Sequence, residues 1–122
     1  MKHLNKDIGD YGEDITTKYL IKSNYKIVMR NFRCRLGEID IIAFDGDYLC
    51  FIEVKTRYGG EFGFPVDAVN RRKQIKIQKV AEVYIYEKNC YNCSFRFDVV
   101  EVVLNNTDND YNVRLIKNAF MT

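Results

Sequence analysis

The sequence is poor in residues that commonly announce a function. It has one proline, one histidine and no tryptophan among 122 residues. The single histidine, His3, stands near the start, which argues against Ser–His and Cys–His hydrolases, because both need an imidazole held beside the nucleophile. The same scarcity leaves Cys90-Tyr91-Asn92-Cys93 as half of a zinc site with no second ligand pair of matching spacing. A phosphate-cradling Gly-x-x-x-x-Gly-Lys motif, an internal repeat, a low-complexity tract and an interdomain linker are all missing. No apolar run approaches the roughly 20 residues of a membrane-spanning helix, and the first seven residues lack the apolar stretch of a secretion signal. A cytoplasmic protein with no membrane association is expected, and its four cysteines, Cys34, Cys50, Cys90 and Cys93, are expected to be thiols.

A length of 122 residues with 47% hydrophobic and 30% charged residues suits one domain, here 1–122, with a real core. The net charge of +2 is too small to mark a nucleic-acid binder, so the placement of charge matters more than its sum. Arg71, Arg72, Lys73, Lys76 and Lys79 fall in one stretch without an acid, whereas Asp98, Glu101, Asp108 and Asp110 fall in a later stretch without a base.

Ile8, Tyr11, Ile15 and Tyr19 recur at helical steps and predict a helix over 6–22, with Gly9, Gly12, Glu13, Thr16 and Leu20 as an adjoining, mostly small stripe. Its glycines imply a late helix start or close backbone packing beside Glu13. Strands are expected over 25–30, 37–44 and 48–54, the last two as a hairpin around Asp45-Gly46. Both parities of that hairpin are apolar, so helices should cover both faces of its sheet. The glycine-rich segment 58–65 ends at the only proline, and a helix from about Asp67 to Lys88 follows. Strands over 95–104 and 111–120 complete an α/β chain with a mixed central sheet in the order α-β-β-β-α-β-β.

Acids inside the two hairpin strands need an explanation, since burying a lone carboxylate costs several kcal/mol. A two-residue Asp45-Gly46 turn sets Phe44 against Asp47, Asp40 against Phe51 and Glu38 against Glu53, making Asp40 and Glu53 diagonal neighbours on one face. A four-residue loop sets Asp40 directly opposite Glu53, and a three-residue loop separates them onto opposite faces. In either even register the two carboxylates can converge on one hard divalent cation, with Lys55 projecting from the same face. A cation, a bound water and an ammonium that orients it are the parts of metal-assisted phosphodiester hydrolysis. Glu13 is the candidate for a third carboxylate, direct or through water, and Glu38 reads as a structural charge paired with Arg35 or Lys55. Lys73 and Gln74, near the start of the second helix, are second-tier candidates. Arg57, Arg71, Arg72, Lys73, Gln74 and Lys76 are the candidate nucleic-acid contacts, with Thr56 a possible phosphate ligand.

Gly12-Glu13, Asn31-Phe32-Arg33, Gly37-Glu38-Ile39-Asp40-Ile41-Ile42, Phe51-Ile52-Glu53-Val54-Lys55-Thr56-Arg57 and Arg96-Phe97-Asp98-Val99-Val100 together resemble the YraN-like proteins of bacteria. That group is similar to restriction-endonuclease-like nucleases and to archaeal-type Holliday-junction resolvases. The resemblance implies a restriction-endonuclease-like core, metal ligands at Asp40 and Glu53, a catalytic lysine at Lys55 and a helix-borne acid at Glu13. It also implies Mg²⁺ or Mn²⁺, branched or structured DNA as partner, and a homodimer for true resolvases. The chain departs from the superfamily's Pro-Asp signature, having Ile39-Asp40 in its place. Two rivals stand beside the endonuclease: a DNA-binding accessory protein that keeps the fold without efficient cleavage, and a thiol redox protein using Cys90 and Cys93.

Overall fold

The computed structural model describes residues 5–59, 62, 69–105, 108 and 110–120. Its elements are α1 (Asn5–Lys22), β1 (Lys26–Cys34), β2 (Gly37–Asp45), β3 (Tyr48–Tyr58), α2 (Arg71–Lys88), β4 (Ser94–Leu104) and β5 (Tyr111–Ile116). This is the expected α-β-β-β-α-β-β order. The strands form one mixed sheet in the order β1-β2-β3-β4-β5, in which β3 and β4 run parallel and the other neighbours antiparallel. Joining parallel neighbours requires a crossover, which α2 provides. None of the helices is long and apolar enough to cross a membrane among the described residues.

Four boundaries differ from expectation. β1 and β3 each run four residues further than their apolar alternation indicated, to Cys34 and Tyr58, because pairing with β2 and β4 carries the ladder past the periodic core. β5 stops at Ile116, and Asn118 turns the chain at φ 53°. α2 starts at Arg71, capped by Asn70, whose side chain accepts the Lys73 N–H at 2.9 Å. The expected start at Asp67 and most of the glycine-rich segment lie outside the described residues.

The hairpin register is corrected by one step. Asp45 pairs with Tyr48 and Ile41 with Ile52, so the loop is Gly46-Asp47 and Asp45 belongs to the strand. Gly46 takes the first loop position at φ 59°, which L side chains rarely adopt. Asp45 is held in the strand by Arg96, at 2.7 Å, and Lys117, at 3.1 Å. The register therefore remains even, and its pairs run from Asp45–Tyr48 to Ile41–Ile52, stopping one residue short of Asp40 and Glu53.

Each face of the sheet carries its own core. On one side Leu49, Phe51, Phe97 and Val99 meet Ile77, Val80, Ala81 and Tyr84 of α2, with Tyr84 edge-on to both Phe32 and Phe51. On the other side Ile41, Ala43, Cys50, Ile52, Val100 and Val102 meet Ile15 and Leu20 of α1. The buried flank of α1 is Gly12, Glu13, Ile15, Thr16 and Leu20, while Tyr11 is exposed. The small stripe faces the sheet because it lets the helix backbone come close: a Cβ on Gly12 would stand 1.7 Å from Thr56 Oγ1. Gly9 has open space at the same test.

Gly12→Ala is expected to lower stability by roughly 1–3 kcal/mol, since Thr56 and the helix must move apart, whereas Gly9→Ala should be neutral or slightly stabilising. Urea denaturation of both variants checks this, and equal midpoints would refute the close-approach account.

Candidate metal and nucleic-acid site

Glu53 and Lys55 sit two residues apart on the α2 side of β3, beyond Leu49 and Phe51 of the core. Asp40 lies where side-chain alternation breaks. Ile39 joins the core under α2 and Ile41 the core under α1, although two residues in a regular strand share a face. The same reversal occurs on β1, where Phe32 faces α2 while Arg30 reaches Glu13 and Asp14 of α1. Between them Asn31 adopts φ 55°, a conformation asparagine tolerates better than most L residues. Beyond the Ile41–Ile52 pair, the Val54 N–H donates to Asp40 Oδ2 at 2.8 Å. A side-chain oxygen thus replaces a strand carbonyl, and β2 and β3 splay apart around it.

The splay opens a cleft of about 490 Å³ lined by Glu13, Glu38, Asp40, Glu53, Lys55, Arg57 and Lys73, among others. Glu13 and Glu53 are more than nine-tenths buried. Burial, followed by the charge of Asp40, pushes Glu53 up from 4.5 to about 7. Burial likewise raises Asp40, against the stabilising Val54 N–H, and raises Glu13, reinforced by Asp40 and opposed by Arg30. Lys73 Nζ stands 2.8 Å from Glu53 Oε1. One oxygen of Glu13, Oε1, is buried without a hydrogen-bond partner, and its nearest cation is Arg30 at 3.6 Å.

The expected trio Asp40, Glu53 and Lys55 is thus brought to one cleft, and Glu13 overlooks it from α1. Among the described residues no three His, Cys, Asp or Glu side chains gather into a ready metal cluster. Two neighbouring carboxylates nevertheless suit Mg²⁺, which binds through one or two carboxylates and keeps several waters. Glu13 Oε1, buried in the same cleft without a hydrogen-bond partner, is a further acceptor in that lining.

Other expectations fare differently. Glu38 pairs with Arg33 at 2.9 Å, and not with Arg35 or Lys55; the two side chains face each other across the β1–β2 ladder. Gln74 turns back to the Val69 carbonyl at 2.9 Å and so is spent on the helix start. Thr56 is directed toward Gly12 of α1. Arg71, Arg72 and Lys76 are exposed on the first turns of α2 outside the cleft lining, with Lys76 passing over Gly37. Of the later acidic stretch, Asp98 and Glu101 are buried against Arg96 and Arg114, whereas Asp108 and Asp110 are exposed. The sequence reading missed Asn31 and Arg30 as neighbours of Glu13; an asparagine inside an otherwise strand-forming run was the available signal. All four cysteines are free thiols, and burial together with Cys93 raises Cys90, the opposite of an activated redox thiol.

The raised Glu53 fixes a sign. Its proton is held more tightly in the folded than in the unfolded chain, so its contribution to stability is greatest below 4.5 and is lost as pH rises to about 7. Urea denaturation in EDTA should show stability falling across that window by on the order of 3 kcal/mol from this group, with Asp40 and Glu13 acting in the same direction. Glu53→Gln should flatten the slope; an unaltered slope would mean that Glu53 is not the group titrating.

Residues 12–102, which carry all of these cleft acids, match the profile described as "Uncharacterised protein family UPF0102". The chain is 55% identical over 121 residues to a UPF0102 protein of Clostridium botulinum (strain 657 / Type Ba4), covering 98% of each chain. It is 52% identical over 120 residues to one of Clostridium acetobutylicum and 50% over 120 residues to one of Clostridium kluyveri, again covering 98% of each chain. With the motif resemblance and this near full-length similarity pointing the same way, the chain belongs to the UPF0102, or YraN-like, family.

Proposed function

We propose that this protein is a Mg²⁺- or Mn²⁺-dependent endodeoxyribonuclease acting on structured or branched DNA by phosphodiester hydrolysis. The observation that carries the reading is the meeting of Asp40 and Glu53, beside Lys55, in a cleft at the splayed end of the sheet. Asp40 and Glu53 are the residues that would hold the ion. When bound, a divalent ion supplies Lewis-acid stabilisation of the phosphoryl charge and a more acidic water.

The protein's own groups do the remaining work. Asp40 is fixed by the Val54 N–H and hydrogen-bonded to Glu53, so the two carboxyl groups are held together without conformational search. Lys55, exposed at the cleft wall, orients the attacking water and offsets charge on the phosphate. Glu13, with its unpartnered oxygen, accepts a proton or hydrogen bond from water on the α1 side. Arg57 at the cleft, and Arg71, Arg72 and Lys76 beyond it, offer phosphate contacts that position a strand without reading its bases. Symmetric cuts in a branched substrate would take two copies of the chain.

A DNA-binding accessory role is the second reading. It is favoured by the Lys73–Glu53 ion pair, which neutralises one of the two carboxylates from within the chain.

Mn²⁺ should raise the melting temperature of the wild type and not of Asp40→Ala, and cleavage of junction, flap, duplex and single-stranded substrates should fall by about 100-fold or more in that variant. Metal binding with no cleavage of any substrate selects the accessory reading, and no metal binding removes the nuclease.

A further inference from the structure

The cleft holds two lysines, and they are not equivalent. Lys55 projects from the strand itself, whereas Lys73 reaches in from the first turn of α2 and is bonded to an acid assigned to hold metal. The Lys73 backbone is anchored, since its N–H is bound by the Asn70 cap. Its side chain is 46% exposed, against 8% for Glu53. The ammonium can therefore leave on its flexible stem while the carboxylate cannot follow it into water.

We propose that Lys73 is an exchangeable internal counterion: its ammonium neutralises Glu53 in the metal-free protein, and a divalent cation entering between Asp40 and Glu53 displaces it to the mouth of the cleft as a phosphate contact. This rests on the reading of Asp40 and Glu53 as a metal site. A metal ion lies roughly 2.0–2.1 Å from its carboxylate oxygens, so an ammonium kept at 2.8 Å from Glu53 would stand against it in a cleft where charges are poorly screened. Without a metal, Asp40, Glu53 and Glu13 crowd one cleft and need an internal cation. With a metal, Lys73 is in surplus, and the exposed start of α2 already carries Arg71 and Arg72, with Lys76 one turn on. Metal loading thereby supplies one further cation to the surface that a nucleic-acid backbone would approach, and couples the two binding events.

Calorimetric titration of Mn²⁺ into the full chain at about pH 8.5, where carboxylates are ionised, tests the exchange. Lys73→Met should bind Mn²⁺ at least about fivefold more tightly than wild type, and Lys73→Arg should stay near wild type. Fluorescence anisotropy with a branched oligonucleotide supplies the second readout. Lys73→Met should lose DNA affinity several-fold more, relative to wild type, in Ca²⁺ than in EDTA, Ca²⁺ being used as a cation that supports binding without cleavage. Unchanged or weaker Mn²⁺ affinity in Lys73→Met overturns the proposal while leaving the metal site intact. Equal losses of DNA affinity in EDTA and Ca²⁺ also overturn it, because Lys73 would then be a permanent contact. Absence of Mn²⁺ binding in the wild type overturns the metal site and the exchange together.

Discussion

The hydrogen bond from the Val54 N–H to the Asp40 carboxylate is the constraint on which the cleft depends. In a regular ladder that N–H would meet a β2 carbonyl, and an acid at position 40 would face wholly to one side. Here the carboxylate takes the carbonyl's place and the two strands part. The left-handed turn at Asn31 makes the same adjustment on β1, so two adjacent strands, β1 and β2, change direction at one level of the sheet while β3 stays regular. One oxygen of Asp40 takes the Val54 N–H, and the carboxyl is also hydrogen-bonded to Glu53, in a cleft to which α1 brings Glu13 and α2 brings Lys73.

The two ends of the sheet contrast in how they treat buried charge. At the end where β3 and β4 begin, Arg96 donates to Asp45, to both oxygens of Asp98 and to the Tyr25 hydroxyl, while the Asn118 N–H adds a further bond to Asp98. That network meets the condition under which buried charge is tolerable, with hydrogen bonds offsetting desolvation. At the other end Glu13 keeps an orphaned oxygen, and burial raises Glu13, Asp40 and Glu53 alike. Groups held in a state that favours proton uptake are equally groups that a divalent cation would relieve. Stability is invested at one end of the fold, and unspent electrostatic demand is left at the other.

Most of the architecture was legible in the chain. Helical spacing around Ile15 and Ile77 and apolar runs of both parities in β2 and β3 required a sheet covered on both faces. The hairpin was placed correctly, but its loop was shifted by one residue. Asp45-Gly46 is a good turn pair locally, and only Arg96 and Lys117, 51 and 72 residues away, hold Asp45 in the strand. The buried side of α1 was legible only as an oddity, since glycines in a helix signal close packing without naming the partner, here Thr56.

What the sequence determined by itself was local: element order, the apolar faces, and acids at 40 and 53 with a lysine at 55 in strands that must be buried. Periodicity and composition carry that information because side-chain direction along a helix or strand follows from backbone geometry alone. Only the tertiary structure decided that Lys73 would neutralise Glu53, that Arg30 would face Glu13, and that Asp40 would sit between the two faces. Each of these joins residues from different elements, and their distances follow from how strands splay and helices dock, which no spacing within a single element encodes.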